Sequence, residues 1–323
     1  MKTSKPYYFD YMASTPIAGS VKEKMIKYLD ADKYYGNPAS THNIYGHYAQ
    51  QVIVEAREEI ADYFNSEAEN WLFTSGATEA INLAIQGVAH SYSSSSKRII
   101  TFESEHAATL KCCKQLRSLG FEIVVLPVQS SGLIDLCLLE EALKTSTLLV
   151  SVLHVNNEIG VIQPIKKITD LAKKHHALVH VDAVQTVGKV KLDLLNSGID
   201  LMSISSHKNY GPKGIGSLYI SPDNNLKLKP IIFGGGQEKG LRSGTLATHQ
   251  IAGMGEAYSL SKRDYDEDYN KVESLYKIFV EELIVKEELR ASPLGILKNT
   301  PVTKSKPSPV NSTFDPVTPR NGP

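Results

Sequence analysis

Cysteine is scarce in this chain. Its 323 residues hold three, Cys112, Cys113 and Cys137, an odd number that makes no disulfide framework. With no signal sequence in view, that usage suits a reducing cytosol. Cys112 and Cys113 are adjacent and point in different directions on a helix, which is poor geometry for a metal site; all three are expected as buried thiols. An excess of one charge is also missing, since Lys+Arg 35 balance Asp+Glu 35. Nucleic-acid and membrane-surface partners are therefore not expected. No apolar run is long enough for a membrane span. The opening Met1 to Pro6 runs into Tyr7-Tyr-Phe-Asp-Tyr11 without an apolar core segment, unlike a signal peptide. Two nucleotide motifs are absent as well. Gly211 to Gly216 has P-loop glycine spacing, but Ser217-Leu218 stand where Lys-Ser/Thr is needed. No Gly-x-Gly-x-x-Gly follows the first strand, so kinase and dehydrogenase readings lose their support.

What is present is the alternation of an α/β protein. Short apolar runs at 71–74, 98–102, 121–126, 147–153, 177–181, 201–204 and 217–220 read as strands. Helical patterns fall at 21–28, 49–63, 106–119, 136–143 and 164–175, and another opens at Ser75 and runs to about Ala89. Strands that are apolar throughout, separated by helices, imply a mostly parallel sheet with helices on both faces. From Thr245 to about Glu288 the pattern is helical, broken by the charged segment Lys262 to Asp268. The proline-bearing stretch 293–323 reads as an irregular tail. The implied division is an N-terminal arm (1–20), a large domain (21–260), a helix (261–292) and that tail.

In such sheets, ligands gather at the carboxyl ends of the strands. Gly76-Ala-Thr78, His106, Asn156-Asn157, Asp182 and Lys208 all fall just past predicted strand ends. A lysine held at a strand end suits Schiff-base chemistry, and the set fits pyridoxal phosphate. Ser75-Gly-Ala-Thr78 at a helix start offers N–H groups and a hydroxyl to a phosphate, although an ordinary N-cap would look the same. Asp182 suits the pyridinium nitrogen or a turn cap. Gln185 suits the ring hydroxyl. His106 suits the ring face or a helix cap, and Ser205 and His207 suit the phosphate.

Taken in order, the motifs are specific. Ser75-Gly-Ala-Thr-Glu-Ala80, Glu105-His106, His154-Val-Asn-Asn-Glu-Ile-Gly160 and His180-Val-Asp-Ala-Val-Gln185 come first. Ser205-Ser-His-Lys208 with Tyr210 to Gly216, then Gly234-Gly-Gly-Gln-Glu238 and Arg242-Ser-Gly-Thr245, complete the series. Tyr8 to Tyr11 and Gly36-Asn-Pro-Ala-Ser-Thr-His42 agree with it. From about residue 7 to 290 the chain resembles the cysteine desulfurases of the NifS/IscS type, within the class V aminotransferase superfamily. The resemblance implies a type I pyridoxal-phosphate-dependent transferase fold, a cytoplasmic homodimer, and L-cysteine as substrate. It further implies an iron–sulfur scaffold or another sulfur acceptor as protein partner, serving iron–sulfur cluster assembly or tRNA thiolation. By motif, Lys208 is the Schiff-base lysine and Asp182 the pyridinium partner. Gln185 meets the ring hydroxyl, and His106 stacks on the ring and moves protons. Ala77, Thr78, Ser205 and His207 hold the phosphate, Thr245 reaches the phosphate of the neighbouring subunit, and Asn157 lies by cofactor and substrate.

One part of the family pattern is not matched. The family carries a nucleophilic cysteine on a loop of a small C-terminal domain, and no cysteine follows Cys137 here. The expectation is a truncated or frameshifted desulfurase that keeps the cofactor domain but not the sulfur-accepting loop. A pyridoxal-phosphate-binding remnant without activity, or a different class V aminotransferase or lyase, are the alternatives. Helices that would pack on the small domain are expected to expose apolar surface.

Overall fold

The computed structural model describes residues 7–29, 32–92, 96–222 and 226–285. The expected tail at 293–323 and the end of the expected last helix, 286–292, lie outside the described residues. Two helices, α1 (Gly19–Lys27) and α2 (Ile44–Tyr63), precede β1 (Trp71–Thr74). Then come α3 (Ala77–Ser91), β2 (Arg98–Phe102), α4 (Ala107–Leu116), β3 (Glu122–Leu126), α5 (Leu136–Leu143) and β4 (Leu149–Leu153). The chain continues through α6 (Ile165–Lys174), β5 (Leu178–Asp182), β6 (Leu201–Ser205) and β7 (Gly216–Ile220) to the long α7 (Thr248–Val285).

Among the described residues these strands form one 7-stranded sheet in the order β1-β7-β6-β5-β4-β2-β3. The pairs from β6 through β5, β4 and β2 to β3 are parallel. β7 runs antiparallel to both β6 and β1. The expected mostly parallel sheet is therefore present. The exception has a simple cause: no helix joins β6 to β7, and a short connection returns the chain antiparallel.

Both faces of the sheet are covered, as the unbroken apolar strands require. Alternate residues of a strand point to opposite faces. Phe73, Val150, Val152, Val179, Val181, Met202 and Ile204 pack with α2, α5, α6 and the start of α7. Leu72, Ile99, Leu149, Leu201 and Leu218 pack with α3 and α4. Burying a side chain of this size contributes roughly 1.5–3 kcal/mol, so the sheet is a rigid base for whatever its edges carry.

Two expectations are corrected. The charged segment from Lys262 to Asp268 does not break the last helix, because α7 runs continuously through it. Lys, Arg, Asp and Glu are tolerated or favoured in helices, and here they lie on a solvated face. Lys262 Nζ reaches the Asp62 carbonyl at 3.0 Å, and Lys191 pairs with Asp266 at 2.9 Å. Nor are all three thiols buried: Cys112 and Cys113 are, but Cys137 is exposed in the first turn of α5. Asp135 caps that turn by accepting from the Cys137 and Leu138 N–H groups, and the helix buries Leu139 and Leu143, which leaves Cys137 on its outer side. The second half of α7 exposes Val272, Leu275, Ile278 and Phe279, in line with the apolar surface expected there.

Candidate active site

Parallel strands β4, β5 and β6 end at one level, in register through the pairs Leu153–Asp182 and Asp182–Ser203. Above those ends lies a cavity of about 480 Å³. Ala77, Thr78, His106, Asn157, Asp182, Gln185, Ser205, His207 and Lys208 all line it. These are all the site candidates from the sequence except Thr245. That residue is exposed and does not line this cavity; its expected role concerns a neighbouring subunit.

One wall is the start of α3. Its N-cap is Gly76, and no side chain caps it, so the ordinary N-cap reading of Ser75 to Thr78 does not hold. Gly76 sits at φ +147°, a region that only glycine occupies without strain. Gly216, at the start of β7, closes against this turn: a Cβ there would meet Ile204 O at 2.6 Å and Gly76 at 2.7 Å. The helix therefore presents its first N–H groups to the cavity, an arrangement that favours an anion. Beside it, the buried Ser205 Oγ has no hydrogen-bond partner. His207 Nδ1 lies 3.3 Å from Ser14 Oγ. Burial, helped by Lys208 and Lys213, lowers the His207 pKa.

Asp182 and His106 each make the capping bond that the sequence offered, and each also lines the cavity. Asp182 Oδ1 accepts from the Val184 N–H at 3.0 Å, capping the turn after β5, while the residue also lines the cavity. Its carboxyl is raised by burial, against the Val184 N–H and the charges of His106 and Lys208. His106 caps α4, its Nδ1 accepting from the Ala108 N–H at 3.1 Å. In the neutral ring the proton then sits on Nε2. Each side chain is fixed along one edge and free for a ligand along the other.

Lys208 Nζ donates to the Met12 carbonyl at 2.9 Å. Burial lowers its pKa, opposed by Asp182, Asp10 and Glu158. The same carbonyl accepts from Gln185 Nε2 at 3.0 Å. The arm reaches this point because Thr15 is bound into the loop after β6. Its N–H and hydroxyl both donate to the His207 carbonyl, at 2.9 and 3.0 Å, and its hydroxyl accepts from the Tyr210 N–H at 2.7 Å.

The sequence reading missed Met12 and Ser14, whose contribution is a backbone carbonyl and a small hydroxyl from a distant segment. It also missed Lys213, which lines the cavity from within the glycine loop. Glu105 was quoted only as part of a motif. It is buried, its Oε1 accepts from the Leu153 N–H at 2.7 Å, and its Oε2 has no partner. Burial holds its carboxyl well above the usual range, with Asp182 adding to the effect. None of the three cysteines lines the cavity. Burial pushes the Cys112 thiol up to about 11 and the Cys113 thiol up to about 12, far from the thiolate a nucleophile needs.

A strand-end cavity with a lysine, an unpaired hydroxyl and an open helix N-terminus defines an enzyme class that holds a phosphorylated cofactor covalently. The chain belongs to the aminotransferase class-V family, whose model matches residues 7–320. Among curated relatives, the cysteine desulfurase IscS of Vibrio campbellii is 49% identical over 265 residues, covering 82% of this chain and 66% of that one. IscS of Vibrio vulnificus strain YJ016 is likewise 49% identical, covering 82% of this chain. The chain thus spans about 65–66% of the length of the curated relatives it matches. Among solved structures, a NifS-like protein aligns with a TM-score of 0.82 at 38% identity, covering 86% of this chain and 75% of that one. The fold is the type I pyridoxal-phosphate-dependent transferase fold.

The family implies pyridoxal phosphate, and the residues present fit it. The orphaned Ser205 hydroxyl and the uncapped α3 N-terminus suit the phosphate. The buried Asp182 carboxyl suits a cationic ring nitrogen, which would bring it back to the ionised form.

Proposed function

We propose that this chain is the cofactor-bearing part of a pyridoxal-phosphate-dependent cysteine desulfurase, converting L-cysteine to L-alanine and passing the sulfur to an acceptor thiol. The observation that carries this reading is the meeting of nine sequence-selected residues, from Ala77 to Lys208, around one cavity. The 49% identity to IscS over most of the chain supports the choice of reaction. A cytoplasmic homodimer, with Thr245 reaching the neighbouring site, belongs to the same proposal.

When bound, the cofactor supplies an electron sink beside the substrate Cα. Ala77, Thr78, Ser205 and His207 would hold its phosphate, Asp182 would keep its ring nitrogen protonated, and Gln185 would donate to its ring hydroxyl. Lys208 would anchor the cofactor, and its free amine would take the Cα proton. The lowered pKa of Lys208 favours the free amine this step needs. His106, with Nδ1 engaged, offers Nε2 to the cavity for proton movement, and Asn157 stands by the substrate carboxylate. An acceptor thiolate then attacks the substrate sulfur, the C–S bond breaks, the acceptor leaves as a persulfide, and the carbon skeleton takes up protons to become alanine.

That thiolate has to be mobile and accessible. Cys112 and Cys113 are buried, and no cysteine lines the cavity. We therefore assign the acceptor to a thiol outside these 323 residues, supplied by another chain or by further sequence of the same protein.

The test is reconstitution with pyridoxal phosphate, followed by L-cysteine and dithiothreitol as a surrogate acceptor. Expected are a visible absorbance band that is absent in Lys208→Ala, and alanine with sulfide in equal amounts. A keto acid in place of alanine would move the chain to the transaminases. A band with neither product would leave a cofactor-binding protein without this activity. Loss of sulfide release in a Cys112→Ser, Cys113→Ser double variant would overturn the assignment of the acceptor.

A further inference from the structure

Lys189 has no part in the reaction as set out above, yet its side chain reaches into the hydrogen bonds around Lys208. Residues 183–190 coil through successive turns, with Thr186 N–H on the Ala183 carbonyl and the Lys189 and Val190 N–H groups on the Thr186 carbonyl. Such coiling places residues four apart on one side, so Lys189 lies over Gln185. Lys189 Nζ donates to Gln185 Oε1 at 3.2 Å and approaches the Lys208 carbonyl at 3.4 Å. Gln185 Nε2 in turn donates to the Met12 carbonyl, the acceptor that Lys208 Nζ also uses. The circuit is closed: Lys189 ammonium, Gln185 amide, Met12 carbonyl, Lys208 amine, Lys208 carbonyl and back to Lys189.

Two consequences follow from the chemistry of the groups. An ammonium only donates and a carbonyl only accepts. With Lys189 on one side and Met12 O on the other, the Gln185 amide has one satisfied orientation, Oε1 to Lys189 and Nε2 to the cavity side. Turned over, it would set N–H against ammonium and oxygen against oxygen. The second consequence is electrostatic. Lys189 is half-buried, and no carboxylate of the described residues lies within ion-pair distance of it. Burial, with the charge of Lys208 adding to it, lowers the Lys189 pKa to about 8. At neutral pH it is still largely an ammonium, able to donate to Gln185 Oε1. The groups facing Lys208 with the opposite sign are Asp182 from β5, Asp10 from the arm and Glu158 after β4. Across the adjoining groove, α7 brings Asp268, Lys271 and Glu273, the last paired with Lys277.

We propose that Lys189 is a positioning residue of this site, one that fixes the Gln185 amide with Oε1 turned to Lys189 and its N–H left for the ring hydroxyl of the cofactor. It acts through Gln185 and touches no reacting atom. The assignment rests on the proposed role of Gln185 toward the cofactor.

The experiment is fluorescence titration of the cofactor-free 323-residue chain with pyridoxal phosphate. Affinity is expected to fall about five- to tenfold in Lys189→Met and to recover in part in Lys189→Arg, which can still donate to Gln185 Oε1. In a Gln185→Ala background, where there is no amide to orient, Lys189→Met is expected to add little. Wild-type affinity in a Lys189→Met chain with wild-type circular dichroism overturns the proposal, and so does an equal further loss in the Gln185→Ala background. Lys189→Gln replaces the Met variant if that does not fold. A wild-type chain that binds no pyridoxal phosphate overturns the cofactor reading, and this assignment with it.

Discussion

Two layers of buried polar groups lie on the same face of strands β4, β5 and β6, one step apart, and they are treated in opposite ways. In the lower layer His180 sits between Ser151 Oγ and Ser203 Oγ, 2.9 Å from each. Every ring nitrogen has a partner, and nothing is left for a ligand. Two residues further along each strand lie Leu153, Asp182 and Ser205, which face the cavity. Here Ser205 Oγ has no partner, and the neighbouring Glu105 keeps an unpaired oxygen. A buried polar group left unpaired costs about 1–3 kcal/mol. The lower layer avoids that cost and the upper layer bears it. The difference separates a polar structural core from a polar binding site, although both layers draw a titratable residue from β5 and a serine from β6.

The comparison can be tested from its largest expected effect downward. Lys208→Ala is expected to remove the visible cofactor band completely while leaving the apo-protein melting temperature near that of the wild type. A large loss of stability instead would place Lys208 in the structural layer. Acid should act on the lower layer. Burial lowers the His180 pKa to about 3 and that of His154, paired to Thr186 Oγ1, to about 4. Both rings stay neutral in the fold, whereas the unfolded chain takes up protons below about pH 6.5. Stability is then complete above pH 6.5 and is lost as pH falls toward 4 and then 3, on the order of 3 kcal/mol for each histidine. Urea unfolding followed from pH 7 to pH 4 measures this, and a flat profile would contradict it.

His180→Ala strands two serine hydroxyls and opens a cavity, so a loss of about 3 kcal/mol is expected, with little change in cofactor affinity for the protein that remains folded. Ser205→Ala should do the reverse. The apo-protein should gain up to about 1 kcal/mol by losing an orphaned hydroxyl, while pyridoxal phosphate binds about five- to tenfold more weakly. Should both variants behave alike, the division between the layers is not real.

Much of this was legible in the chain itself. Unbroken apolar strands can only be buried on both faces, so the layered sheet and its strand ends could be read from pattern alone. Short motifs carry their own backbone geometry, which is why Gly76, Asp182 and Lys208 could be singled out at strand ends. Other features were not legible. The charged stretch from Lys262 to Asp268 resembles a break because charge marks solvent exposure, and an exposed helix face and an exposed turn are equally charged. Cys137 looked like any small buried thiol, since only the packing of α5, which turns Leu139 and Leu143 inward, leaves it facing solvent.

By itself, then, the sequence determined the local geometry and the chemical inventory: which strands pair with helices, which turn needs glycine, which amine and which acid are available. Tertiary structure alone decided the wiring between them. Met12 contributes a carbonyl, which every residue has, and it matters only because the arm is bound across residues 207–210. Lys189 is one of many lysines until the turns after Gln185 lay it against that amide and beside Lys208. Hydrogen bonds and charge effects depend on distance, and distance between segments nearly 200 residues apart is set by packing.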